Sequence, residues 1–363
     1  MVMENISKVY FVKVQNLEAM PSVIERLRRL LEKSGILGFL RPQETAAIKL
    51  HFGEEGNTGF VKPEYVHLIC DAIRKNGADC FISDTNTLYQ GRRTNSKDHL
   101  ALAYEHGFTQ EKAGARVVIP DDTRKENVVS IRIDRSFIKT AKIAKVFSDA
   151  DAIIGVAHFK GHLLTGVGGA LKNLGMGCAT REGKLAQHSD LSPLVSSERC
   201  VGCGECQKVC LTKAIIVADK KAVIDRKKCV GCASCIAACG YNAIEVDWAS
   251  GGRSAQEKIA EYAYAVLKEK RGKAAFLNFA IKITQECDCL AKDDPRIAPD
   301  IGIFASIDPV SIDKACIDVT NKVCGKDIFK EVHPKIEPMR QFRHAVELGL
   351  GRLEYQLIEV ASL

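Results

Sequence analysis

Residues 151–177 read DAIIGVAHFKGHLLTGVGGALKNLGMG. The apolar run at 151–157 reads as a β-strand, Gly166, Gly168 and Gly169 mark a strand-to-helix turn, and a helix starts after them. A strand that feeds a helix through a short turn is the repeating unit of an α/β fold. The flanking sequence repeats that unit on both sides.

Further apolar runs read as strands at 8–14, 45–51, 79–84, 115–119, 273–279, 300–306 and 353–360. Helical periodicity falls between them, in PSVIERLRRLLEKSG, KPEYVHLICDAIRKNG, SAQEKIAEYAYAVLKEKRG and PVSIDKACIDVTNKVCG, each of which stops at a glycine. The alternation predicts an α/β fold with a mainly parallel, doubly wound sheet and helices on both faces. A cysteine-rich stretch interrupts it. The expected organisation is therefore an α/β domain in two parts, residues 1–195 and 249–363, with an insertion at 196–248.

The 363 residues, 46% hydrophobic and 27% charged, suffice for a sizeable buried core. No run approaches the roughly 18 apolar residues that a spanning helix needs, and the start, MVMENISKVYFVKV, lacks a basic-then-apolar leader. A cytoplasmic protein without a membrane partner is expected. The net charge of +7 is spread over mixed-sign segments with one Trp in the chain, which argues against nucleic acid. An acidic electron-transfer protein or a small anionic substrate suits it better. Fifteen cysteines without an export signal favour metal or redox use over a disulfide framework.

Cys200, Cys203, Cys206 and Cys210 recur 29 positions later as Cys229, Cys232, Cys235 and Cys239, and Ala214–Ile215 recur as Ala243–Ile244. That is an internal duplication, each half a cysteine loop, a helical turn and a short strand. C-x2-C-x2-C wraps three thiolates around one iron–sulfur cubane, and the fourth cysteine points away to another. Zinc sites pair two C-x2-C arms and have no use for the third and fourth thiols. The stretch resembles bacterial-type two-cluster ferredoxins. The resemblance implies an inserted α+β ferredoxin-like domain with two [4Fe-4S] clusters, one on Cys200, Cys203, Cys206 and Cys239, the other on Cys229, Cys232, Cys235 and Cys210. Leu211 and Gly240 stand where that family usually has Pro, a departure that touches turn geometry and no ligand.

In open parallel sheets, ligands bind beyond the carboxyl ends of the strands. Here those ends carry His51, Asp84, His158 and Asp308, and the loop after 151–157 adds Lys160, His162, Gly168, Gly169, Lys172 and Asn173. The glycines and lysines read as a seat for an anion at a helix start, or the glycines merely as a tight turn. His158 and His162 are candidate ligands or proton donors, with polar loop residues as the plainer reading. Asp308 is a candidate catalytic acid, yet it precedes Pro309 as an N-cap would. Asp84 has the place of a turn starter. Arg92 and Arg93 read as a solvated surface pair, and Cys70, Cys80, Cys316 and Cys324 as small buried residues. Cys178 stays open.

Cys287 and Cys289, in ITQECDCLAKDD, are spaced to face the same way in a stretch too acidic for ordinary core. They are the candidate catalytic centre, as ligands of a further metal or as a redox dithiol. With HFKGH, GVGGALKNLGMG and DIGIFASIDPVSIDKA, this segment makes nearly the whole chain similar to a family of uncharacterised iron–sulfur-centre proteins of bacteria and archaea, named only as a domain of unknown function. Its hallmarks are the Cys-Asp-Cys, here Cys287 to Cys289, and the Asp-Pro-Val-x-x-Asp, here Asp308 to Asp313; it implies no reaction. The arrangement of Gly168 to Lys172 after a βαβ start is also similar to nickel-pincer lactate racemase-like proteins, from which no residue is carried over. The expected function is redox: two clusters carry low-potential electrons between a ferredoxin-like partner and a substrate, or a metal or dithiol centre, at the sheet edge. An electron carrier or adaptor without catalysis is the first alternative. An isomerase or sulfur-transfer enzyme with accessory clusters is the second.

Overall fold

The computed structural model describes residues 6–89, 91–188, 193–210, 212–229, 234–245, 254–270 and 272–361. Eight strands form one sheet in the order Tyr355–Glu359, Ser7–Lys13, Gly302–Ser306, Ala274–Ala280, Ala152–His158, Thr45–Lys49, Asp79–Ser83, Val117–Val118. Each apolar run read as a strand is one, shifted or trimmed by a residue or two at its ends. The strands at 274–280, 302–306 and 355–359 thus share the sheet formed by those of the first 158 residues.

The sheet is mainly parallel, with one exception: Gly302–Ser306 runs antiparallel to both of its neighbours. The alternation of strand and helix does not foretell this. A parallel neighbour needs a crossover, usually a helix. Between Ala280 and Gly302 the chain forms turns and bends and no helix, so it returns beside the strand it has just left.

Successive residues of the central strands face opposite ways. Ile153, Phe276 and Phe304 enter one apolar core, and Ile154, Leu277 and Ile303 enter a second on the other face. Helices Met20–Ser34 and Pro63–Lys75 cover the second core with Val23, Leu27, Val66 and Ile69, while Ala255–Lys268 and Pro309–Cys324 cover the first. Their ends follow the sequence signals. Pro21 stands in the first turn of Met20–Ser34, and Gly35, at φ 59°, ends it by donating its N–H to Leu31 O.

Residues 194–245 hold two small antiparallel ladders, Leu194–Val195 with Ile244–Glu245 and Ile215–Ala218 with Lys221–Ile224. Their apolar centre gathers Cys200, Cys206, Cys235, Cys239, Ile236 and Ile244, and it also takes in Leu88 and Leu185 from the α/β part. Cys232 lies outside the described residues. Among the described residues, no helix is long and apolar enough to cross a membrane.

Candidate functional site

Beyond the carboxyl ends of Thr45–Lys49, Asp79–Ser83 and Ala152–His158 lies a cavity of about 640 Å³. Its wall includes His51, Asp84, His158, Lys160, His162, Gly168, Gly169, Lys172, Asn173, Cys287 and Cys289. His51, Asp84 and His158 therefore come together, as the parallel strands require, and the two thiols join them from the loop after Ala274–Ala280.

Asp288, between the thiols, is the anchor of that loop. Its carboxylate takes the His158 Nδ1 hydrogen bond at 2.8 Å and lies 3.3 Å from Lys160 Nζ, while its carbonyl accepts from Glu54 N at 2.9 Å. Burial pushes the carboxyl up, but His158 and Lys160 outweigh it and hold the group well below the usual carboxylate range. The other His158 nitrogen, Nε2, faces Lys282 O at 3.1 Å. With an oxygen before each ring nitrogen, His158 holds Asp288 and the Lys282 carbonyl in place.

The two sulfurs differ. Cys287 receives the Cys289 N–H at 3.4 Å and lies 3.9 Å from Lys172 Nζ. The hydrogen bond from Cys289, opposed by burial and joined by Lys172, Lys160 and His162, lowers the Cys287 thiol well below its ordinary value. The same sulfur–sulfur hydrogen bond and burial push Cys289 up. Cys287 is thus the one of the two sulfurs on which donors and a cation converge. Ligand atoms of His162, Cys287 and Cys289 also lie within 4.8 Å of one another, a grouping that could hold a metal ion.

His162 has a fixed tautomer. Its Nδ1 accepts the Leu164 N–H at 3.0 Å and the Thr165 N–H at 3.3 Å. Burial and Lys172 lower the ring to about 4, so it is neutral near pH 7 and its proton sits on Nε2. A metal-bound histidine ordinarily donates its other ring N–H to an acceptor. Here that nitrogen accepts instead, and Nε2–H is left to donate to the Cys287 sulfur.

Five cationic side chains line the cavity: Lys49, Arg93, Lys160, Lys172 and Lys184. Three have carboxylate partners, Lys49 with Asp84 at 3.0 Å, Arg93 with Glu54 at 3.0 Å and Lys160 with Asp288. Among the described residues, Lys172 and Lys184 form no such pair. Lys184 donates to Thr85 Oγ1 at 2.6 Å and to the carbonyls of Thr85 and Asn86, and burial lowers it to about 7. Among the described residues, Asp84 Oδ2 has no hydrogen-bond partner. Burial raises that carboxyl, but the Lys49 ammonium beside it outweighs burial and holds the group well below the usual carboxylate range. His51, lowered to about 3 by burial and Arg93, is neutral. The sequence reading missed Lys49 and Lys184 as wall residues; a lysine ending an apolar strand was the available signal for the first. It also misread Arg93, which is 2% exposed and bonded to Glu54, His51 and the Tyr89 hydroxyl, whereas Arg92 is the surface residue, paired with Glu105.

Two expectations fail here. Asp308 is remote from the cavity because it follows the antiparallel strand, whose carboxyl end lies at the opposite edge of the sheet. Its Oδ1 caps its own helix through Val310 N and Ser311 N at 2.9 and 2.8 Å, and Oδ2 accepts from Ser7 Oγ and Arg352 N. Nor is the helix start after Gly169 open to a ligand anion, because Asp313 takes the Ala170 and Leu171 N–H groups at 2.7 and 3.0 Å. Gly168 and Gly169 form wall, Asn173 is bound to Lys49, and Lys172 is what remains for an anion. Cys70, Cys80, Cys178 and Cys316 are buried, and Cys324 is half-buried.

In the cysteine-rich segment, Cys200, Cys203, Cys206 and Cys239 line one small cavity. Backbone N–H groups of Ala222, Ala243 and Ala214 donate to the sulfurs of Cys200, Cys239 and Cys210 at 3.3, 3.3 and 3.2 Å. Gly202, at φ 71°, lets the loop pass Lys220, whose carbonyl would lie 2.5 Å from a Cβ there. Four converging thiols with N–H donors on the sulfurs fit an iron–sulfur cluster. Of the second set, Cys210, Cys229 and Cys235 are described.

The family described as Domain of unknown function (DUF362) matches the chain over residues 46–318. No curated protein matches it. Among solved structures, a Thermotoga maritima protein is 12% identical with a TM-score of 0.41, covering 85% of this chain and 59% of that one. The lactate racemase apoprotein from Thermoanaerobacterium thermosaccharolyticum is 15% identical with a TM-score of 0.38, covering 77% and 52%. The chain thus spans little more than half the length of either.

Proposed function

This chain belongs to the DUF362 family, and we propose that it is an iron–sulfur oxidoreductase whose redox centre is the Cys287–Cys289 dithiol and whose substrate is a small anion. One observation carries the reading. Leu88 belongs both to the wall of the cavity that contains Cys287 and Cys289 and to the apolar cluster that contains Cys200, Cys206, Cys235 and Cys239. One residue thus joins the apolar cluster of the cysteine-rich segment to the wall of the cavity that holds the thiol pair.

Bound at the eight cysteines named above, two [4Fe-4S] clusters would supply low-potential electrons singly from a ferredoxin-like partner. The chain's own residues supply the rest. His158 and Lys160 fix Asp288, which orients the sulfurs on either side of it. Lys172 and His162 hold Cys287 as thiolate. Lys172, which has no carboxylate partner among the described residues, favours a negatively charged occupant. Leu88, Leu163, Leu164, Met176 and Leu290 are among the apolar side chains of the wall.

The test is a thiol count. Anaerobically purified protein is expected to contain about eight irons per chain. Reduced ferredoxin should convert a Cys287–Cys289 disulfide to two alkylatable thiols, and should fail to do so in Cys203→Ser. Protein without iron, or thiols that stay oxidised beside reduced ferredoxin, would refute the proposal. A second reading, a soft metal on Cys287, Cys289 and His162, rests on their 4.8 Å grouping; the same metal analysis would show one extra ion per chain, lost in Cys287→Ser.

A further inference from the structure

The geometry points to a division of labour between the two sulfurs and to a substrate class: Cys287 attacks a sulfur–sulfur bond in a small anionic disulfide, and Cys289 resolves the mixed disulfide. This rests on the dithiol reading above and names the substrate for it.

Three observations single out Cys287 as the attacking atom. Its sulfur collects the Cys289 N–H at 3.4 Å, the Lys172 ammonium at 3.9 Å and the His162 ring. The His162 contact is a donor contact, because Leu164 and Thr165 N–H groups occupy Nδ1 and leave the proton on Nε2. Asp288, bound on its far side by His158 and Lys160, prevents the loop from exchanging the places of the two sulfurs. Hydrogen-bond donors converging on one sulfur stabilise its thiolate, and the thiolate is the nucleophile.

The chemistry of a dithiol then restricts the substrate. Such a pair passes two electrons by exchange through a covalent bond to an electrophilic sulfur. The Cys287 thiolate forms a bond to one substrate sulfur, the substrate S–S bond breaks, and the first half leaves as a thiolate beside Lys172. Cys289 then bonds to the Cys287 sulfur and displaces the second half, and the Cys289 proton passes to a departing thiolate. The sum is one thiolate, one thiol and RSSR giving the Cys287–Cys289 disulfide, RS⁻ and RSH. Two electrons and one proton, from a reduced ferredoxin-type protein or from dithiothreitol in an assay, restore the starting pair. Lys172 on the wall favours a carboxylate on the substrate, and a 640 Å³ cavity admits a small molecule in place of a protein loop.

Two probes with the same two-carbon arms on the S–S bond and opposite charge test this: 3,3′-dithiodipropionate and cystamine. Reduced, anaerobic protein should release two thiols per chain from dithiodipropionate and acquire a Cys287–Cys289 disulfide seen by peptide mass spectrometry. The anion should react about 10-fold or more faster than cystamine, and Lys172→Gln should narrow that ratio. Cys289→Ser should stop with the half-molecule on Cys287, and Cys287→Ser should release nothing. An adduct on Cys289 in Cys289-intact, Cys287→Ser protein at the parent rate would overturn the assignment, as would equal rates for both probes. Retained iron content and parental circular dichroism show that a variant is folded. If exchange proceeds but reduced ferredoxin does not restore the thiols, the oxidoreductase proposal fails and this inference stands. If ferredoxin restores the thiols but they are inert to both probes, this inference alone fails.

Discussion

Asp313 and Ala170 lie on different helices, and the Asp313 Oδ1 accepts the Ala170 N–H at 2.7 Å. Leu171 N–H and the Asn278 amide add to the same carboxylate, so one buried side chain caps the helix that carries Lys172 and ties it to the sheet. Room for that contact comes from Gly169, where a Cβ would lie 2.2 Å from Asp313 Oδ1. Gly169→Ala is therefore expected to lower stability by about 1–3 kcal/mol through overpacking. Urea unfolding with an unchanged slope checks it, and an unchanged midpoint would show that the contact yields freely.

The same carboxyl gives a pH signature. Burial raises it from 3.8 to about 6 despite the three donors, so the folded protein binds the proton more tightly than the unfolded chain. Stability from this group is then present below about pH 4 and is lost as pH rises through about 6, by roughly 3 kcal/mol in all. Asp313→Asn, which cannot ionise, should remove that slope. The stability gap between parent and variant should be widest near pH 4 and narrow above pH 6; a gap that grows with pH would show the carboxylate to be the favoured form.

Asp308 separates capping from catalysis. Asp308→Ala removes the acceptor of the Val310 and Ser311 N–H groups and should cost about 0.5–2 kcal/mol. Because the residue sits at the opposite edge of the sheet, the alkylation rate of Cys287 in the folded variant should match the parent. A several-fold drop in that rate at temperatures where the variant is fully folded would return Asp308 to the site.

These residues mark what the sequence discloses. Strand runs and glycine stops are local signals, and each is where it was expected. Strand direction is not local: the polarity of Gly302–Ser306 is set by the helix-free connection before it, and that one reversal moved Asp308 to the far edge. Arg93 beside Arg92 looked like a solvated pair because burial depends on Glu54, 39 positions away, reaching it. Lys49 came from a strand read for its apolar residues, and Lys184 from a helix, Arg181–His188, that no sequence signal had marked. The thiol pair was legible through its spacing, but the inequality of its sulfurs depends on Lys172 and His162, more than a hundred residues earlier.

Asp288 is the residue whose loss should expose that inequality. It is 1% exposed, and Asp288→Ala would leave His158 and Lys160 without their shared carboxylate. Removing one side of a buried ion pair costs about 3–5 kcal/mol. Asp288→Asn keeps the volume and one acceptor, so it should lose less stability. In both variants the loop is no longer pinned, and Cys287 and Cys289 should approach each other in reactivity toward iodoacetamide, measured peptide by peptide. If Asp288→Ala matched the parent in stability and kept Cys287 selectively reactive, the anchor would lie elsewhere, and Lys172 and His162 alone would have to hold the thiolate in place.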